Sequence, residues 1–431
     1  MVSICVIGLW HLGCVTAACL ARNHKVVGYD RDKKTIEALN KGQPPIAEPG
    51  LAEAIQYAAK KGKLSFTSDQ KLATGGAEVF YIAIDTPVNE KDEVDISLVE
   101  GALEALLPSL KESSLVIISS QVPVGTSRAL LLRMRKAGKN AVLCYSPENL
   151  RLGSALEAFL KPERLVLGVS DPSAKPFLEK VFEGVSGERL YMDLESAEMA
   201  KHAMNAYLAT MISFSGEVSD LCEKTGANAI LVMDSLRKEK RVSSQAPISP
   251  GLGFGGGTLA RDVQVMRRIG GQNGLKTPLL DSVLEVNRAR MGLVQRKLKD
   301  ALGNLSGKTI TFLGLTYKSG TDTLRRSLAL DIISDLKKHG AKFRAYDPAI
   351  KKPIGGFPEI TVCGSAEEAA KGADALVITT AWEEFSGLDY NSICPLMRKP
   401  VIIDARNIVE HEHLSGKIAY FGIGVTHGSK N

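Results

Sequence analysis

Short runs of apolar and β-branched residues alternate with helix-like stretches from the first residues of the chain. The runs fall at residues 4–7, 25–29, 79–84, 115–119, 141–145 and 165–168. Runs of this length separated by amphipathic segments are typical of a parallel sheet covered by helices on both faces. The N-terminal part of the chain is therefore predicted to be a doubly wound α/β domain.

Strand signals nearly disappear between residues 196 and 304, where helix-compatible stretches at 197–225 and 278–301 take their place. The alternation returns at residues 309–314, 342–346, 375–378 and 401–404. We therefore expect the α/β fold class, with two Rossmann-like doubly wound domains joined by a long helical connector. The predicted domains are 1–195, 196–304 and 305–431.

The composition is that of a globular protein, and the positive net charge favours anionic ligands only weakly. The chain has 431 residues, of which 44% are hydrophobic and 24% charged, so two or three domains and little disorder are expected. The net charge of +6 is scattered, which argues against nucleic acid as a partner. No apolar run has membrane-spanning length and the N-terminus lacks signal-peptide features, so a cytoplasmic protein with no membrane association is predicted.

The seven cysteines are far apart and include no CxxC pair. Several lie in apolar runs, so reduced, buried thiols are expected. The seven histidines show no spacing typical of metal ligands, and no metal is predicted.

A glycine-containing turn follows the first predicted strand, and an acidic residue ends the second. The turn reads GLWHLG from Gly8 to Gly13, and Asp30 follows about twenty residues later. Here Gly8 permits the tight turn, Gly13 permits close helix packing, and the helix N-terminus faces a diphosphate. Asp30 would accept hydrogen bonds from ribose hydroxyls and repel a 2′-phosphate, which favours NAD over NADP.

Trp10 stands where this fingerprint has its middle glycine, which lets the backbone approach the diphosphate. The open alternative is a turn that binds no nucleotide and in which Trp10 packs against the protein. Arg31 could stack on adenine, with a solvated surface charge as its alternative.

Further motifs follow in order along nearly the whole chain. They are NKG at 40–42, PIAEPGL at 45–51, DTP at 85–87, VPVGT at 122–126, SPENLR at 146–151, Lys201, Asn205, GFGG at 253–256, Asp262, Lys318, Arg325, Ser327, YDP at 346–348 and DARN at 404–407. Taken together, they resemble the UDP-glucose/GDP-mannose dehydrogenase family. The resemblance implies an NAD-binding N-terminal domain, a C-terminal domain that binds a nucleotide diphosphate sugar, and a homodimer formed through the connector.

The resemblance also implies which residues are catalytic, which bind the cofactor and which bind the substrate. The predicted catalytic residues are Lys201, Asn205, Asp262, Thr258 and Glu148. The predicted cofactor-binding residues are Gly8, Trp10, His11, Leu12, Gly13, Asp30, Arg31, Thr86 and Arg325. The predicted substrate-binding residues are Asn149, Leu150, Arg151, Phe254, Gly255, Gly256 and Lys318.

Lys201 and Asn205 lie four residues apart and share one helix face, so both can point at one substrate atom. The alternative is that they form an exposed pair on the protein surface. For Glu148 the alternative is a capping carboxylate.

Thr258 stands where the resemblance places a cysteine nucleophile. In the family, a sugar alcohol gives a hydride to NAD, the thiol captures the aldehyde, and a second hydride leaves a thioester that water hydrolyses. A threonine hydroxyl needs an adjacent base, and the loop at 251–262 contains no histidine. Gln121 and Leu152 stand where the resemblance implies a threonine and a glutamate that handle the hydrolytic water, and Gly216 stands where it implies an asparagine. The thioester is therefore excluded.

Three functions fit this combination. The first is a two-electron oxidoreductase that interconverts an alcohol and a carbonyl on a nucleotide sugar. The second is a redox-neutral epimerase that returns the hydride, and the third is a binding protein without turnover. Retention of Lys201, Asn205 and Asp262 favours the first.

Overall fold

The computed structural model describes residues 1–87, 94–255 and 257–425. The chain forms two compact units, Met1–His202 and Ala203–Asn431. The three-domain division stays a prediction.

Parallel strands and their crossover helices make up the first unit. The strands are β1 (Ser3–Ile7), β2 (Lys25–Tyr29), β3 (Leu64–Thr67), β4 (Val79–Ile82), β5 (Leu115–Ile118), β6 (Val142–Tyr145), β7 (Arg164–Val169) and β8 (Glu188–Met192). The helices are α1 (His11–Leu20), α2 (Lys33–Asn40), α3 (Leu51–Lys60), α4 (Gln70–Thr74), α5 (Ser97–Leu106), α6 (Thr126–Lys136), α7 (Ala155–Leu160), α8 (Lys175–Val181) and α9 (Leu194–Thr225), which contains the boundary between the units.

These strands form one sheet in the order β3-β2-β1-β4-β5-β6-β7-β8. Residues of β4 and β5 are completely covered because helices pack on both faces, and this explains their continuous apolar sequence. The order reverses between β1 and β4, the switch point where Rossmann folds bind nucleotides. The predicted doubly wound fold is confirmed, with one difference: β7 runs antiparallel to β6.

The second unit contains a second parallel sheet. Its strands are β9 (Thr309–Leu313), β10 (Lys342–Tyr346), β11 (Ile360–Val362), β12 (Ala375–Ile378), β13 (Val401–Asp404) and β14 (Ala419–Gly422), in the order β11-β10-β9-β12-β13-β14. Its helices after α9 are α10 (Ala229–Lys238), α11 (Thr258–Gln272), α12 (Pro278–Met291), α13 (Leu293–Leu302), α14 (Leu328–Lys337), α15 (Ala366–Ala370), α16 (Glu383–Ser386) and α17 (Tyr390–Ile393).

Helices α9 to α13 account for most of the described residues between 203 and 302, and none of these described residues lies in a strand, as expected for the predicted connector. The stretch predicted at 278–301 is two helices, because the chain turns at Gly292 between α12 and α13. Among the residues that the structure describes, no helix is both long and apolar enough to cross a bilayer.

Candidate active site

The turn between β1 and α1 requires glycine at two positions. Gly8 has φ +88°, and a Cβ there would lie 2.7 Å from Ile84 Cγ1. A Cβ on Gly13 would overlap the carbonyl oxygen of Gly8, so the helix can pack this closely only without a side chain. Leu12 is buried beneath the turn. The geometry is that of a dinucleotide-binding turn.

Trp10 is the N-cap residue of α1, with φ −91° and ψ −153°. This backbone conformation is open to any residue, so the turn accommodates tryptophan at the middle position of the fingerprint. The alternative of a turn that binds no nucleotide required the Trp10 side chain to pack against the protein. This side chain is instead 50% exposed. The Trp10 side chain makes no capping hydrogen bond to α1, and the first N–H groups of this helix therefore suit a diphosphate.

Asp30 closes the turn from the end of β2. Its Oδ2 accepts the Leu9 N–H at 2.9 Å and its Oδ1 accepts the Asp32 N–H at 2.9 Å. Beside it lies a groove of about 250 Å³ that Gly8, Asp30, Arg31, Ile84, Leu98, Gly101, Ala102 and Ala105 help to line. Arg31 is exposed at its rim. The contribution of α5 to this groove was not predicted, because small apolar helix residues resemble ordinary core positions.

The turn, the uncapped helix and the groove fit the diphosphate and adenosine of NAD. Thr86 lies elsewhere at the ends of the strands: it is buried, and its hydroxyl donates to the Gln121 carbonyl at 2.7 Å. This bond ties the segment after β4 to the segment after β5.

His11, the first residue of α1, pairs with a buried carboxylate that sequence reasoning did not assign to the site. His11 Nε2 lies 2.9 Å from Glu48 Oε2. Glu48 also accepts the N–H groups of Gly153 at 3.0 Å and Ala155 at 2.9 Å. Burial favours the neutral acid, but the Ala155 and Gly153 bonds and His11 together hold the pKa of Glu48 below its usual value. The quoted motif PIAEPGL contained this residue, but spacing could not reveal its partners.

Glu148 begins a loop, residues 148–154, that we call the sugar loop because the sequence analysis predicts substrate contacts in it. Lys201 Nζ donates to the Glu148 carbonyl at 2.5 Å and lies 3.5 Å from Glu148 Oε1. Glu148 Oε2 accepts the Leu150 N–H at 2.9 Å, so the carboxylate caps its own loop and also faces the lysine. Leu150 is half-buried, while Asn149 and Arg151 are exposed.

The N-terminal part of α9 is anchored to the loop that follows β5. Glu198 is buried and accepts the N–H groups of Gly125 at 2.6 Å and Ser127 at 2.7 Å, which caps α6. Burial raises the pKa of Glu198, against the effect of these bonds. His202 Nε2 lies 3.0 Å from the Val122 carbonyl oxygen. These contacts fix Lys201, which lies between the two anchors.

Asn205 and Asp262 meet in the second unit. The Asn205 amide donates to Asp262 Oδ2, and Asp262 is completely buried. Because Lys201 and Asn205 are also buried, they are not an exposed surface pair. Thr258 is the exposed first residue of α11, one helical turn before Asp262.

The glycine-rich segment before α11 is held from α12. The Phe254 N–H donates to Asn287 Oδ1 at 2.8 Å, and Asn287 Nδ2 donates back to the Phe254 carbonyl at 3.1 Å. Gly253 has φ +89°, and a side chain there would overlap the Asn287 amide. Gly255 packs where a Cβ would lie 2.9 Å from Leu328 Cγ. Gly256 lies outside the described residues.

All seven cysteines are buried. Burial raises the pKa of Cys5 and Cys19 to about 12 and that of Cys394 to about 11, so they carry no accessible thiolate. Within residues 1–87, 94–255 and 257–425, no group of three His, Cys, Asp or Glu residues could hold a metal ion.

The turn after β9 repeats the geometry of the β1 turn. Gly314 has φ +94°, and Asp347 Oδ2 accepts the Leu315 N–H at 2.7 Å. Lys318 is half-buried, with Nζ 5.8 Å from the Tyr317 ring centre, and Arg325 is exposed.

Models of three domains of one family match successive parts of the chain. The NAD binding domain of the UDP-glucose/GDP-mannose dehydrogenase family matches residues 2–186, its central domain 195–289 and its UDP binding domain 311–411. NAD is therefore the cofactor.

Similar proteins span almost the same length. The chain is 33% identical to UDP-glucose 6-dehydrogenase TuaD of Bacillus subtilis, over 98% of this chain and 93% of that protein. It is 34% identical to a UDP-glucose 6-dehydrogenase of Pseudomonas aeruginosa, over 98% and 97% of the two chains. The structure of a UDP-glucose dehydrogenase from Pyrobaculum islandicum superposes with a TM-score of 0.90 at 32% identity, covering 99% and 98% of the two chains. The chain belongs to the UDP-glucose/GDP-mannose dehydrogenase family, NAD-dependent oxidoreductases that act on an alcohol of a nucleotide sugar.

Proposed function

We propose that this enzyme moves one hydride between a nucleotide-sugar alcohol and its carbonyl form, and stops there. The observation that carries the proposal is Thr258 at the start of α11, the position where the resemblance to the family places a nucleophilic cysteine. The seven cysteines are buried and cannot replace it. Without a thiol to capture the aldehyde, no thioester forms and the second oxidation has no intermediate.

Bound NAD supplies the hydride acceptor, and the chain's own residues bind and orient the reactants. Gly8 and the N-terminus of α1 hold the diphosphate, and Asp30 accepts from the ribose hydroxyls while repelling a 2′-phosphate.

Lys201 is proposed to hold the reacting sugar oxygen. An ammonium has three N–H donors, and among the described residues its two polar contacts are with Glu148. The remaining N–H is directed to the alcohol and stabilises the negative charge that develops on its oxygen as the hydride leaves. Asn205 lies one turn further along α9, and its amide, oriented by Asp262, presents its oxygen to a substrate hydroxyl or water.

A UDP-hexose is the proposed substrate class. The C-terminal match is to a UDP binding domain, and the similar proteins named above are UDP-glucose dehydrogenases. The predicted sugar contacts are the sugar loop, the glycine-rich segment and Lys318.

A homodimer is also proposed. Tyr207, Phe214 and Leu221 repeat every seven residues on α9 and are 61%, 50% and 64% exposed. An apolar stripe with this spacing suits packing against a helix of a second copy. A monomeric mass by light scattering would contradict it.

The test is the count of NADH per sugar, by absorbance, with UDP-, GDP- and TDP-hexoses, followed by mass spectrometry of the sugar. One NADH and a product lighter by two hydrogens are expected. Two NADH and a carboxylate would overturn the proposal. An isomer of unchanged mass without NADH would identify the redox-neutral enzyme instead.

A further inference from the structure

Three segments of the first unit meet at the carboxylate of Glu48. Its side chain has no exposed surface, and it bonds to His11 at 2.9 Å, to the Gly153 N–H at 3.0 Å and to the Ala155 N–H at 2.9 Å. His11 is the first residue of α1, while Gly153 lies near the end of the sugar loop and Ala155 is the first residue of α7, directly after it. The buried side chain of Glu48 thus joins α1 to the sugar loop.

The sugar loop is fixed at both ends. Lys201 holds the Glu148 carbonyl at the beginning, and Glu48 holds the N–H groups at the end. Between them, the Arg151 carbonyl accepts the Ser154 N–H at 3.0 Å. Of the two anchors, the one at Glu48 is bonded directly to α1.

Charge makes this junction specific. An ionised carboxylate accepts hydrogen bonds and cannot donate, so His11 must present an N–H at Nε2. Bonds to a charged, buried acceptor are stronger than neutral ones, and a carboxylate that loses a donor there is left poorly solvated. A shift of α1 is therefore passed to Glu48 and on to the loop.

We propose that His11 and Glu48 are a positioning pair through which occupancy of the diphosphate site orders the sugar loop. The diphosphate fixes the first turn of α1, His11 fixes Glu48, and Glu48 fixes the loop amides. Thermodynamic linkage makes the effect reciprocal, so a sugar nucleotide held by this loop strengthens cofactor binding equally. The proposal rests on the proposed function only in requiring that the unit binds NAD; the number of hydrides transferred does not enter.

The test uses the full chain and ADP-ribose, which carries the adenosine and diphosphate but no nicotinamide. Amide hydrogen exchange followed by mass spectrometry compares free and saturated protein in peptides covering residues 8–13 and 148–156. In the natural protein we expect exchange in both regions to slow, the second by about fivefold or more, at the lower end of allosteric couplings.

Substitutions separate positioning from stability. Glu48→Gln and His11→Leu should abolish the ADP-ribose effect on 148–156, whereas His11→Gln, which keeps an N–H donor, should retain most of it. Glu53→Gln, the same change at an exposed position of α3, is the matched control. If Glu48→Gln does not fold, the comparison of His11→Leu with His11→Gln tests the proposal by itself.

If ADP-ribose slows amide exchange at residues 8–13 but not at 148–156 in the natural protein, the proposed positioning role of His11 and Glu48 is wrong. It is also wrong if ADP-ribose slows exchange at 148–156 equally in His11→Leu. Neither result bears on the NADH count, so failure of this inference and failure of the single-hydride proposal are distinguishable.

Discussion

Replacement of Arg290 by methionine tests how the glycine-rich segment is held in place. Arg290 is 2% exposed and donates to the Gly251 carbonyl from Nε at 3.1 Å and from Nη2 at 2.7 Å. Its Nη1 donates to the Gly216 carbonyl at 2.9 Å and to Asp220 at 2.6 Å. One side chain therefore joins α9 and α12 to the segment that leads to Thr258.

The expected cost follows from these bonds. Loss of a charged donor to a buried carbonyl costs about 1.5–3 kcal/mol, and the Gly251 carbonyl loses both of its bonds from Arg290. The bond to Gly216 adds about 1 kcal/mol, and the Asp220 ion pair adds little because that carboxylate is 47% exposed. Arginine also costs free energy to bury, and methionine recovers part of it. We expect a net loss of about 3 kcal/mol.

For a unit of this size, about 3 kcal/mol corresponds to a fall in Tm of roughly 6–12 °C for the transition of residues 203–431. Arg288→Met, an exposed neighbour on α12, is the control and should change Tm little. A fall below about 2 °C for Arg290→Met would refute the assigned role of these bonds.

Gly216 supplies a second check on how tightly Arg290 is packed. A Cβ there would lie 3.2 Å from Arg290 Cδ and 3.3 Å from Nε, so the glycine makes room for the guanidinium. In a helix, alanine is favoured over glycine by about 1 kcal/mol, a gain that the crowding should cancel in the natural protein. Gly216→Ala should therefore stabilise the Arg290→Met variant more than the natural protein, and an additive double-mutant cycle would contradict the coupling.

The remaining predictions concern chemistry and pH. Thr258→Cys should restore thiol capture, giving a burst of two NADH per site and a persistent covalent adduct by mass spectrometry, because Gln121 and Leu152 do not supply the water-handling groups; one NADH and no adduct would contradict this. Lys201→Met should lower kcat by about 100-fold or more, since it removes the N–H donor to the reacting oxygen; retained turnover in a stopped-flow assay would exclude the assigned role. The pKa of Glu48 is depressed on folding, so its stabilising contribution is complete above its unfolded pKa and is lost as pH falls through the folded value. Tm should therefore fall less between pH 6 and pH 3 in Glu48→Gln than in the natural protein, and parallel curves would refute it.

Central strands could be predicted from sequence because their burial is local in origin. β2, β10, β12 and β13 have the predicted limits. The strands that were missed, β3, β8, β11 and β14, are the edge strands of the two sheets. None of them is buried along its whole length, so no continuous apolar run marks them. The antiparallel direction of β7 comes from tertiary pairing, which leaves no signal in its own sequence.

The sequence names candidate site residues singly, but it does not give the contacts that the structure shows between them. Lys201 and Glu148 are 53 positions apart, and His11 and Glu48 are 37 apart. A helical period relates residues three or four apart, and no period relates these. Glu198 was missed for the same reason, since the N–H groups it binds are more than 70 positions away.

The two glycine turns show why local sequence cannot assign function by itself. Gly8 and Gly314 have similar φ values of +88° and +94°, and in each turn the N–H after the glycine donates to the acid, Asp30 or Asp347. Asp347, however, is completely buried and also accepts from Trp382 Nε1 at 3.2 Å, whereas Asp30 is partly exposed on an open groove. A carboxylate closed off by an indole cannot reach a ribose, so of these two turns the N-terminal one leaves its acid open to a bound nucleotide. Trp382, which lies 35 positions after Asp347, makes this difference, and the contact between them exists only in the folded chain.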